Sequence, residues 1–282
     1  MTSPKRHVAE GSARPLLLMV DAFVHGPWKG NPAAVCVLPA PRSARWMQGV
    51  AARMKLSETA FLCRRGRPGG GFRLRWFTPK LEVALCGHAT LASAHALWET
   101  GLLDCKATAR FHTRSGVLTA KRRGEWIAMD FPALSPRPAK APPALFKALG
   151  ARPVRVAMTR RQYLIELADE AELRRLHPSM PGLQSIDAAG FIVTARAAGR
   201  PYDFVSRYFA PAEGIPEDPV TGSAHCALGP YWARILGKNT LVGFQASPRG
   251  GVVRVRVGRS RVMIEGKAVT RGSPAIPPLT PP

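Results

Sequence analysis

The chain has 282 residues, 46% of them hydrophobic, and its 41 lysines and arginines exceed its 18 acids by a formal charge of +23. This length and apolar content predict a globular protein with one large domain or two of ordinary size. No run approaches the roughly 18 apolar residues of a membrane helix, and PLLLMV at residues 15–20 is too short for a signal-peptide core. We therefore expect a cytoplasmic protein without a membrane partner.

The positive charge is spread along the chain. Residues 1–140 carry a formal charge of +14 and residues 141–282 carry +9. Such a charge favours anionic partners. The arginine-rich pieces RRGRPGGGFRLR and VVRVRVGRSRVMIEG follow loop or strand alternation, however, and do not form a basic helix pattern. We expect these arginines on solvent faces and strand edges, and nucleic acid only as a weak electrostatic partner.

The first half of the chain alternates strand and helix patterns. Residues 1–14 are polar and predict a flexible tail. LLLMVDAFV and AAVCVL are typical of strands, ARWMQGVAARMK of an amphipathic helix, and TAFLCR and FRLRWFT of strands. The proline-dense stretch FPALSPRPAKAPPALF then predicts a linker. The expected N-terminal lobe therefore covers residues 15–130.

The second half repeats this alternation. QYLIEL, GFIVTARA and DFVSRYFA predict strands, DEAELRRL predicts a helix, and a further helix is expected after DPVTG, before strands that run through RVMIEGKAVT. Residues 273–282 are a proline-rich tail, too rich in proline to fold alone. We expect a C-terminal lobe over residues 131–272, with the option that its last strand crosses back to the first lobe.

One segment of each half carries the same pattern. RWFTPKLEVALCGHATLASAHAL begins at Arg75, and RYFAPAEGIPEDPVTGSAHCAL begins at Arg207 with a three-residue insertion. The alignment matches Phe77 with Phe209, Pro79 with Pro211, Glu82 with Glu217 and Gly87 with Gly222. Two such copies predict a pair of pseudo-symmetric lobes.

Each copy runs from a loop into a glycine and an expected helix, at Gly87 and at Gly222. Free N–H groups at a helix N-terminus bind anions, and glycine lets a ligand approach the backbone closely. We expect the two helix starts to converge on one small anion. Ser223 could add its hydroxyl as a donor or cap its helix.

Five pieces of the chain resemble a known family: DAFVHGPWKGNPAAVCVL, LSETAFL, FTPKLEVALCGHATLASAHAL, RYFAPAEGIPEDPVTGSAHCALGPYW and QASPRGGVVRVRV. They are similar to the PhzF-like family, which is named for the phenazine-biosynthesis isomerase and related to diaminopimelate epimerase. The resemblance implies an α+β fold of two pseudo-symmetric lobes, each a mixed β-barrel-like sheet around a central helix, with the active site between them. It also implies a homodimer that needs neither metal nor organic cofactor.

The family's best-known chemistry is proton relocation by a carboxylate. The resemblance therefore implies an isomerase or epimerase that acts on a small anionic, carboxylate-bearing metabolite. The family's catalytic glutamate falls on Glu58 of the motif SET, where the predicted helix gives way to a strand. A further position falls on His88 of CGHAT, which could shuttle a proton because imidazole titrates near neutrality. Asn31 of GNPAA fits a turn at the cleft rim, in a binding or structural role.

The resemblance also carries Asp218, Gly222 and Ser223 of EDPVTGS into the site, the last two as substrate ligands. The repeat distinguishes Asp218 from its neighbour Glu217. Glu217 aligns with an acid of the first copy, Glu82, whereas Asp218 aligns with Val83. This asymmetry favours catalysis for Asp218 and a loop-holding role for Glu217 and its counterpart.

The cysteines leave one alternative open. Five cysteines are scattered without a C-x-x-C pair, which predicts free thiols and neither zinc nor a redox dithiol. Related racemases use one thiol from each lobe, but here Cys86 has Thr221 as its counterpart, and a hydroxyl is too weak a base. A racemase that uses Cys86 alone remains an alternative, since a helix N-terminus lowers a thiol pKa. The other alternative is a polyanion- or nucleic-acid-binding protein on the same fold, with catalysis secondary.

Overall fold

The computed structural model of the protein describes residues 14–66, 70–199 and 201–276. Residues 1–13 of the predicted N-terminal tail and 277–282 of the proline-rich tail lie outside the described residues. The helices are α1 (Ala44–Met54), α2 (Gly87–Glu99), α3 (Pro143–Leu149), α4 (Glu170–Arg174), α5 (Met180–Gln184) and α6 (His225–Leu236). The strands are β1 (Leu16–Ala22), β2 (Asn31–Leu38), β3 (Thr59–Arg64), β4 (Phe72–Phe77), β5 (Glu82–Val83), β6 (Ala109–Thr113), β7 (Gly116–Arg123), β8 (Trp126–Pro132), β9 (Arg137–Pro138), β10 (Arg155–Thr159), β11 (Gln162–Glu166), β12 (Gly190–Arg196), β13 (Phe204–Ala210), β14 (Ile215–Asp218), β15 (Thr240–Gln245), β16 (Gly251–Val257), β17 (Arg261–Gly266) and β18 (Ala268–Gly272).

These residues form two compact units. The first comprises the described residues up to Val24, Pro32–Asp130 and those from Glu265 onward, and the second comprises His25–Asn31 and Phe131–Ile264. The predicted lobes, 15–130 and 131–272, differ from these units at residues 25–31 and from residue 265 onward. Strand β18 accounts for part of the difference, because it pairs with β1 and belongs to the first unit.

The two units share one pattern of strand pairing. Each combines parallel and antiparallel neighbours with helices between the strands, so the fold is α+β. In the first unit β2 runs parallel to β3, β3 antiparallel to β4, and β4 parallel to β6, which continues antiparallel to β7. In the second, β11 runs parallel to β12, β12 antiparallel to β13, and β13 parallel to β15, which continues antiparallel to β16. Each parallel step encloses a helix: α2 lies between β4 and β6 in the chain, and α6 between β13 and β15.

Helix α2 is the central helix of the first unit. Every residue of it is buried except His95 and Glu99, which are partly exposed. A helix buried all round has few places for polar groups, and the hydroxyls of Thr90 and Ser93 accordingly donate to the carbonyl oxygens of Cys86 and Ala89, at 2.5 and 2.7 Å. Helix α2 is therefore packed on nearly all of its surface.

The sequence repeat is also visible as a repeated ion pair. Arg75 donates two hydrogen bonds of 2.7 Å to Glu82, and Arg207 donates two of 2.7 and 2.8 Å to Glu217. Each guanidinium also lies over the phenylalanine two residues further on, at 5.1 and 5.0 Å from the ring centroid. The prediction that these two glutamates hold their loops is confirmed.

The two central helices begin differently. Helix α2 begins at Gly87, as predicted. The second helix was predicted directly after DPVTG, which ends at Gly222, whereas α6 begins three residues later, at His225. Residues 222–224 form a tighter turn with i to i−3 hydrogen bonds, in which the His225 N–H donates to the Gly222 oxygen and the Cys226 N–H to the Ser223 oxygen, both at 3.1 Å.

No helix within residues 14–66, 70–199 and 201–276 is long and apolar enough to cross a membrane.

Candidate active site

Glu58 lies at the junction that the sequence predicted for it. Helix α1 ends at Met54, Lys55 takes the left-handed conformation with φ 53°, and β3 begins at Thr59. The chain thus turns out of the helix within a few residues and presents Glu58 at the start of a buried strand. The side chain of Glu58 is only 12% exposed.

Cys86 and His88 flank the glycine at the start of α2. Cys86 is the residue before the helix, in extended conformation, and its side chain makes no capping hydrogen bond. The His88 Nδ1 atom lies 3.5 Å from the Cys86 Sγ, and its Nε2 atom lies 3.5 Å from the Glu58 Oε2 and 3.5 Å from the Ser57 Oγ. The structure therefore brings Glu58 and His88 together as predicted, and it adds Cys86 to the same cluster.

This cluster connects a thiol and a carboxylate through one imidazole. The His88 Nε2 shares a hydrogen bond with the Ser57 Oγ, and its 3.5 Å approach to the Glu58 Oε2 is an ion-pair contact. When Nε2 carries the ring hydrogen, Nδ1 can accept from the Cys86 thiol. A separation of 3.5 Å is longer than a good hydrogen bond, and such contacts commonly shorten when substrate binds. The arrangement can pass a proton between its two ends.

The same three side chains are the group within the described ranges that could hold a metal ion, since their donor atoms lie within 4.8 Å of one another. Carboxylate, thiolate and imidazole are all zinc ligands. The absence of a metal requirement stays a prediction.

The first turn of α2 also offers backbone donors. The Thr90 N–H donates to the Cys86 oxygen at 3.3 Å, whereas the N–H groups of Gly87 and Ala89 have no acceptor among the described residues. These residues are buried, and the turn contains no acidic side chain. N–H groups at the positive end of a helix attract an anion.

Asp218 lies in the second unit and uses both carboxylate oxygens. Its Oδ1 accepts from the Asn31 Nδ2 at 2.8 Å, and its Oδ2 accepts from the Thr221 hydroxyl at 2.5 Å. The Asn31 amide also donates to the Val220 oxygen at 3.0 Å. The structure thus brings Asn31 and Asp218 together, and it gives Asn31 the structural half of its two predicted roles.

Sequence reasoning missed a second residue of this network. Gln245 at the end of β15 donates to the backbone oxygen of Asp218 at 2.7 Å and accepts from the Thr221 N–H at 2.8 Å. Its side chain is fully enclosed, with 1% exposed. Gln245 is the first residue of QASPRGG, one of the pieces that carry the family resemblance, and this position could have indicated a role in the site. The charge of Asp218 and, above all, burial raise the pKa of nearby Glu213.

The predicted ligands Gly222 and Ser223 lie in the turn that this network holds. Among the described residues, no acceptor receives the N–H groups of Gly222, Ser223 or Ala224. The turn thus offers donors without being the first turn of a helix. His225 follows it, is fully buried, and donates from Nδ1 to the Thr221 oxygen at 2.9 Å. Burial lowers the pKa of His225 to about 4, so the ring is neutral and is no acid at pH 7.

The cysteines are free thiols, as predicted. Burial raises the pKa of Cys36 and of Cys226 to about 12, which leaves both as inert apolar side chains. Cys105 is exposed.

Comparison with known proteins identifies the family. Residues 20–273 match the model of the PhzC-PhzF family, described as phenazine biosynthesis-like protein. The chain belongs to this family. An uncharacterized isomerase of Halalkalibacterium halodurans is 51% identical over 90% of this chain and 95% of its own length. A phenazine biosynthesis protein of the PhzF family from Enterococcus faecalis has a crystal structure that matches with a TM-score of 0.86 and 39% identity, over 92% of this chain and 97% of that one.

The same fold occurs in a more distantly related solved structure. A probable proline racemase from Agrobacterium radiobacter, 14% identical, matches 95% of each chain with a TM-score of 0.62. At that identity the likeness concerns the fold alone, and it agrees with the diaminopimelate epimerase-like architecture that the resemblance implied. The relatives named as isomerases and the PhzC-PhzF match together make this protein an isomerase.

Proposed function

We propose that this PhzC-PhzF family member is a cofactor-independent isomerase or epimerase that moves a proton on a small carboxylate-bearing metabolite, with Glu58 as the base. The observation that carries the proposal is the 3.5 Å approach of the Glu58 carboxylate to the His88 ring beside the first turn of α2. A base, a proton carrier and anion donors then lie within one unit of the protein.

The reaction needs only proton movements. The Glu58 carboxylate takes a proton from a carbon next to the substrate's carboxylate or conjugated system, and the electron pair of the broken C–H bond enters the π system. A proton then returns to another carbon of that system, or to the opposite face of the same carbon, from Glu58 or from His88. Nothing is oxidised or reduced, so no electron carrier is required. General acid–base transfer of this kind contributes about 10²–10⁴-fold to a rate.

The first turn of α2 would stabilise the charge that develops. The N–H groups of Gly87 and Ala89 are fixed by the helix, and they can donate to an enolate oxygen or to the substrate carboxylate without rearranging. Binding energy of this kind is larger in a buried site than in water. Substrate-binding roles for Gly222 and Ser223, and a catalytic role for Asp218, stay predictions.

Exchange with heavy water tests the proposal. The protein is incubated in D₂O with a panel of small carboxylic acids that carry an activated C–H, and deuterium incorporation is followed by proton NMR. We expect Glu58→Gln to lose at least about 10²-fold in exchange rate on the acid that responds. Glu125→Gln is the matched control, because Glu125 lies in the same unit and its side chain is 80% exposed. Full exchange in Glu58→Gln would refute Glu58 as the base.

One observation favours a second candidate, a racemase that uses Cys86 alone. The Cys86 thiol lies 3.5 Å from the His88 Nδ1, which can accept its proton. In this case Cys86→Ser loses the exchange activity, and iodoacetamide inactivates a Cys105→Ser protein by labelling Cys86. The Glu58 proposal instead expects Cys86→Ser to keep most of its exchange activity.

The counterpart of Cys86 weakens the two-thiol alternative. The Thr221 hydroxyl donates to Asp218 and accepts from the Gln245 amide at 3.2 Å, so it is engaged in the loop network.

A further inference from the structure

A cavity of about 460 Å³ opens on the first unit, separate from the Glu58 cluster in its lining residues. Four arginines line it, together with one histidine, one glutamate and two uncharged residues: Arg65, Arg73, Arg75, Arg114, His112, Glu82, Leu74 and Thr113. The strands β4 and β6 form its floor, since Arg73 and His112 are paired across them.

The cavity has an uncompensated positive charge. Among the described residues that line the cavity, Glu82 is the single carboxylate, and that group already receives two hydrogen bonds from Arg75 and one of 3.1 Å from Arg114. Four guanidinium groups against one carboxylate leave a formal charge of +3. Arg65 and Arg73 make no ion pair with any described residue. Four like charges around one cavity repel one another unless an anion enters it.

Arg65 is held in place by His112. A guanidinium can only donate, so the 2.8 Å contact between the Arg65 Nη1 and the His112 Nδ1 requires a neutral ring that accepts there. The ring's Nε2–H then donates to the Gly70 oxygen at 2.9 Å. The histidine therefore adds no charge and fixes one arginine at the cavity wall.

The second unit shows that the fold itself does not require this cavity. The pairing of β13 with β15 puts Val205 where the first unit has Arg73, and Phe244 where it has His112. Both are completely buried, and Arg174 of α4 lies over the Phe244 ring at 5.3 Å. The corresponding face is thus apolar and covered in one unit, and arginine-rich and open in the other.

We propose that this cavity is a binding site for a small molecule that carries an oligophosphate group. Planar guanidinium groups match phosphate oxygens in a bidentate way and are the preferred side chains for phosphate recognition. The volume lies in the range of small-molecule sites, and the charge of +3 suits two or three linked phosphates better than one. The site is independent of the proposed isomerase chemistry.

Titration calorimetry with inorganic tripolyphosphate, in metal-free buffer at about 0.15 M salt, tests the proposal, because that salt screens scattered surface charges. We expect one tripolyphosphate per chain, orthophosphate to bind at least about tenfold more weakly, and Arg73→Gln to weaken tripolyphosphate about tenfold. Arg256→Gln is the matched control, since Arg256 is also an exposed strand arginine but lies on β16 of the second unit. It should bind tripolyphosphate as the unchanged protein does.

Three results would overturn the proposal. The first is no binding of tripolyphosphate at that salt concentration. The second is equal weakening by Arg73→Gln and Arg256→Gln, which would mean general charge attraction. The third is a single-stranded oligonucleotide that binds more tightly than tripolyphosphate and depends equally on Arg73, which would make the ligand a nucleic acid. Thermal unfolding of each variant without ligand verifies that the fold is intact.

Discussion

The acid at position 218 has two competing explanations, a structural role and a catalytic role. Its oxygens accept from Asn31 and Thr221, and its backbone oxygen accepts from Gln245, so it joins three segments of the second unit. The asymmetry of the repeat favoured a catalytic role, and the observed contacts provide a structural reason for the same asymmetry. The first unit has Val83 at this position, in the two-residue strand β5.

Replacement of Asp218 by asparagine separates the two roles. The change removes a buried charge that accepts two hydrogen bonds, and it places an amide donor against donors, so we expect the free energy of unfolding to fall by about 2–4 kcal/mol. Urea denaturation measures it. Asp187→Asn is the control, since that side chain is 90% exposed, and it should change stability by less than about 0.5 kcal/mol. Normal stability of Asp218→Asn with lost proton exchange would assign Asp218 to the chemistry.

His225 makes stability depend on pH. Its folded pKa of about 4 lies below its ordinary value of 6.5, so the unfolded chain takes up a proton first as the pH falls. The stabilisation is complete above about pH 6.5 and is lost between 6.5 and 4, by about 3 kcal/mol over that range. The free energies of unfolding of the protein and of His225→Gln are measured between pH 7.5 and 4. Over that range the unchanged protein should lose about 3 kcal/mol more than His225→Gln does. Parallel curves would contradict the prediction.

At the residue scale, the sequence predicted which residues enter the candidate site better than it predicted which side chains meet. Glu58 and His88 were named together because both lie in family motifs, and their side chains meet. The bond between Asn31 and Asp218 joins residues 187 positions apart, and no local pattern indicates it. Gln245 was overlooked because a buried amide leaves no periodic signal in the chain. Side-chain pairing across the sequence depends on the packed fold.

At the element scale, most strands were predicted from alternation, and the proline-rich stretch was misjudged. FPALSPRPAKAPPALF contains the end of β8, all of β9 and the start of α3, which has Pro143 in its first turn. Proline is compatible with a helix N-terminus, so density of proline alone does not define a linker. The stretch also serves α6: Pro230 lacks an N–H, and the Leu134 N–H donates to the Cys226 oxygen at 2.9 Å instead.

The repeated ion pair, Arg75 with Glu82 and Arg207 with Glu217, allows a comparison between matched elements of the two units. Arg207 is 11% exposed and also donates to the backbone oxygens of Leu173 and Leu176, at 3.3 and 2.7 Å, whereas Arg75 is 26% exposed. We expect Arg207→Gln to lower the free energy of unfolding by about 2–4 kcal/mol and Arg75→Gln by about 1 kcal/mol. Chemical denaturation of both variants measures the difference. Equal losses would show that the additional carbonyl contacts contribute nothing.

At the scale of the whole molecule, the duplication was readable from the sequence because both copies keep their arginine, glutamate and glycine. The strand pairing repeats in the two units, as that duplication predicts. Strand β18 pairs with β1 and belongs to the first unit, which is the option that the sequence analysis named for the last strand. The assignment of residues 25–31 to the second unit was not predicted, because no residue pattern marks it. The homodimer stays a prediction, and sedimentation measures it.

The net charge of +23 makes a final prediction about nucleic acid. The excess is distributed over both halves of the chain, and outside the arginine-lined cavity many of the arginines occupy exposed strand positions, such as Arg256 on β16. Dispersed charges bind a polyanion by releasing counterions, so affinity falls steeply with salt. We expect the protein to leave a heparin or DNA column near about 0.2 M salt. Arg73→Gln and Arg256→Gln should shift that elution equally, in contrast to their different effects on tripolyphosphate. Retention at about 0.5 M salt would instead mean a built polyanion surface, and would favour the binding-protein alternative over the isomerase.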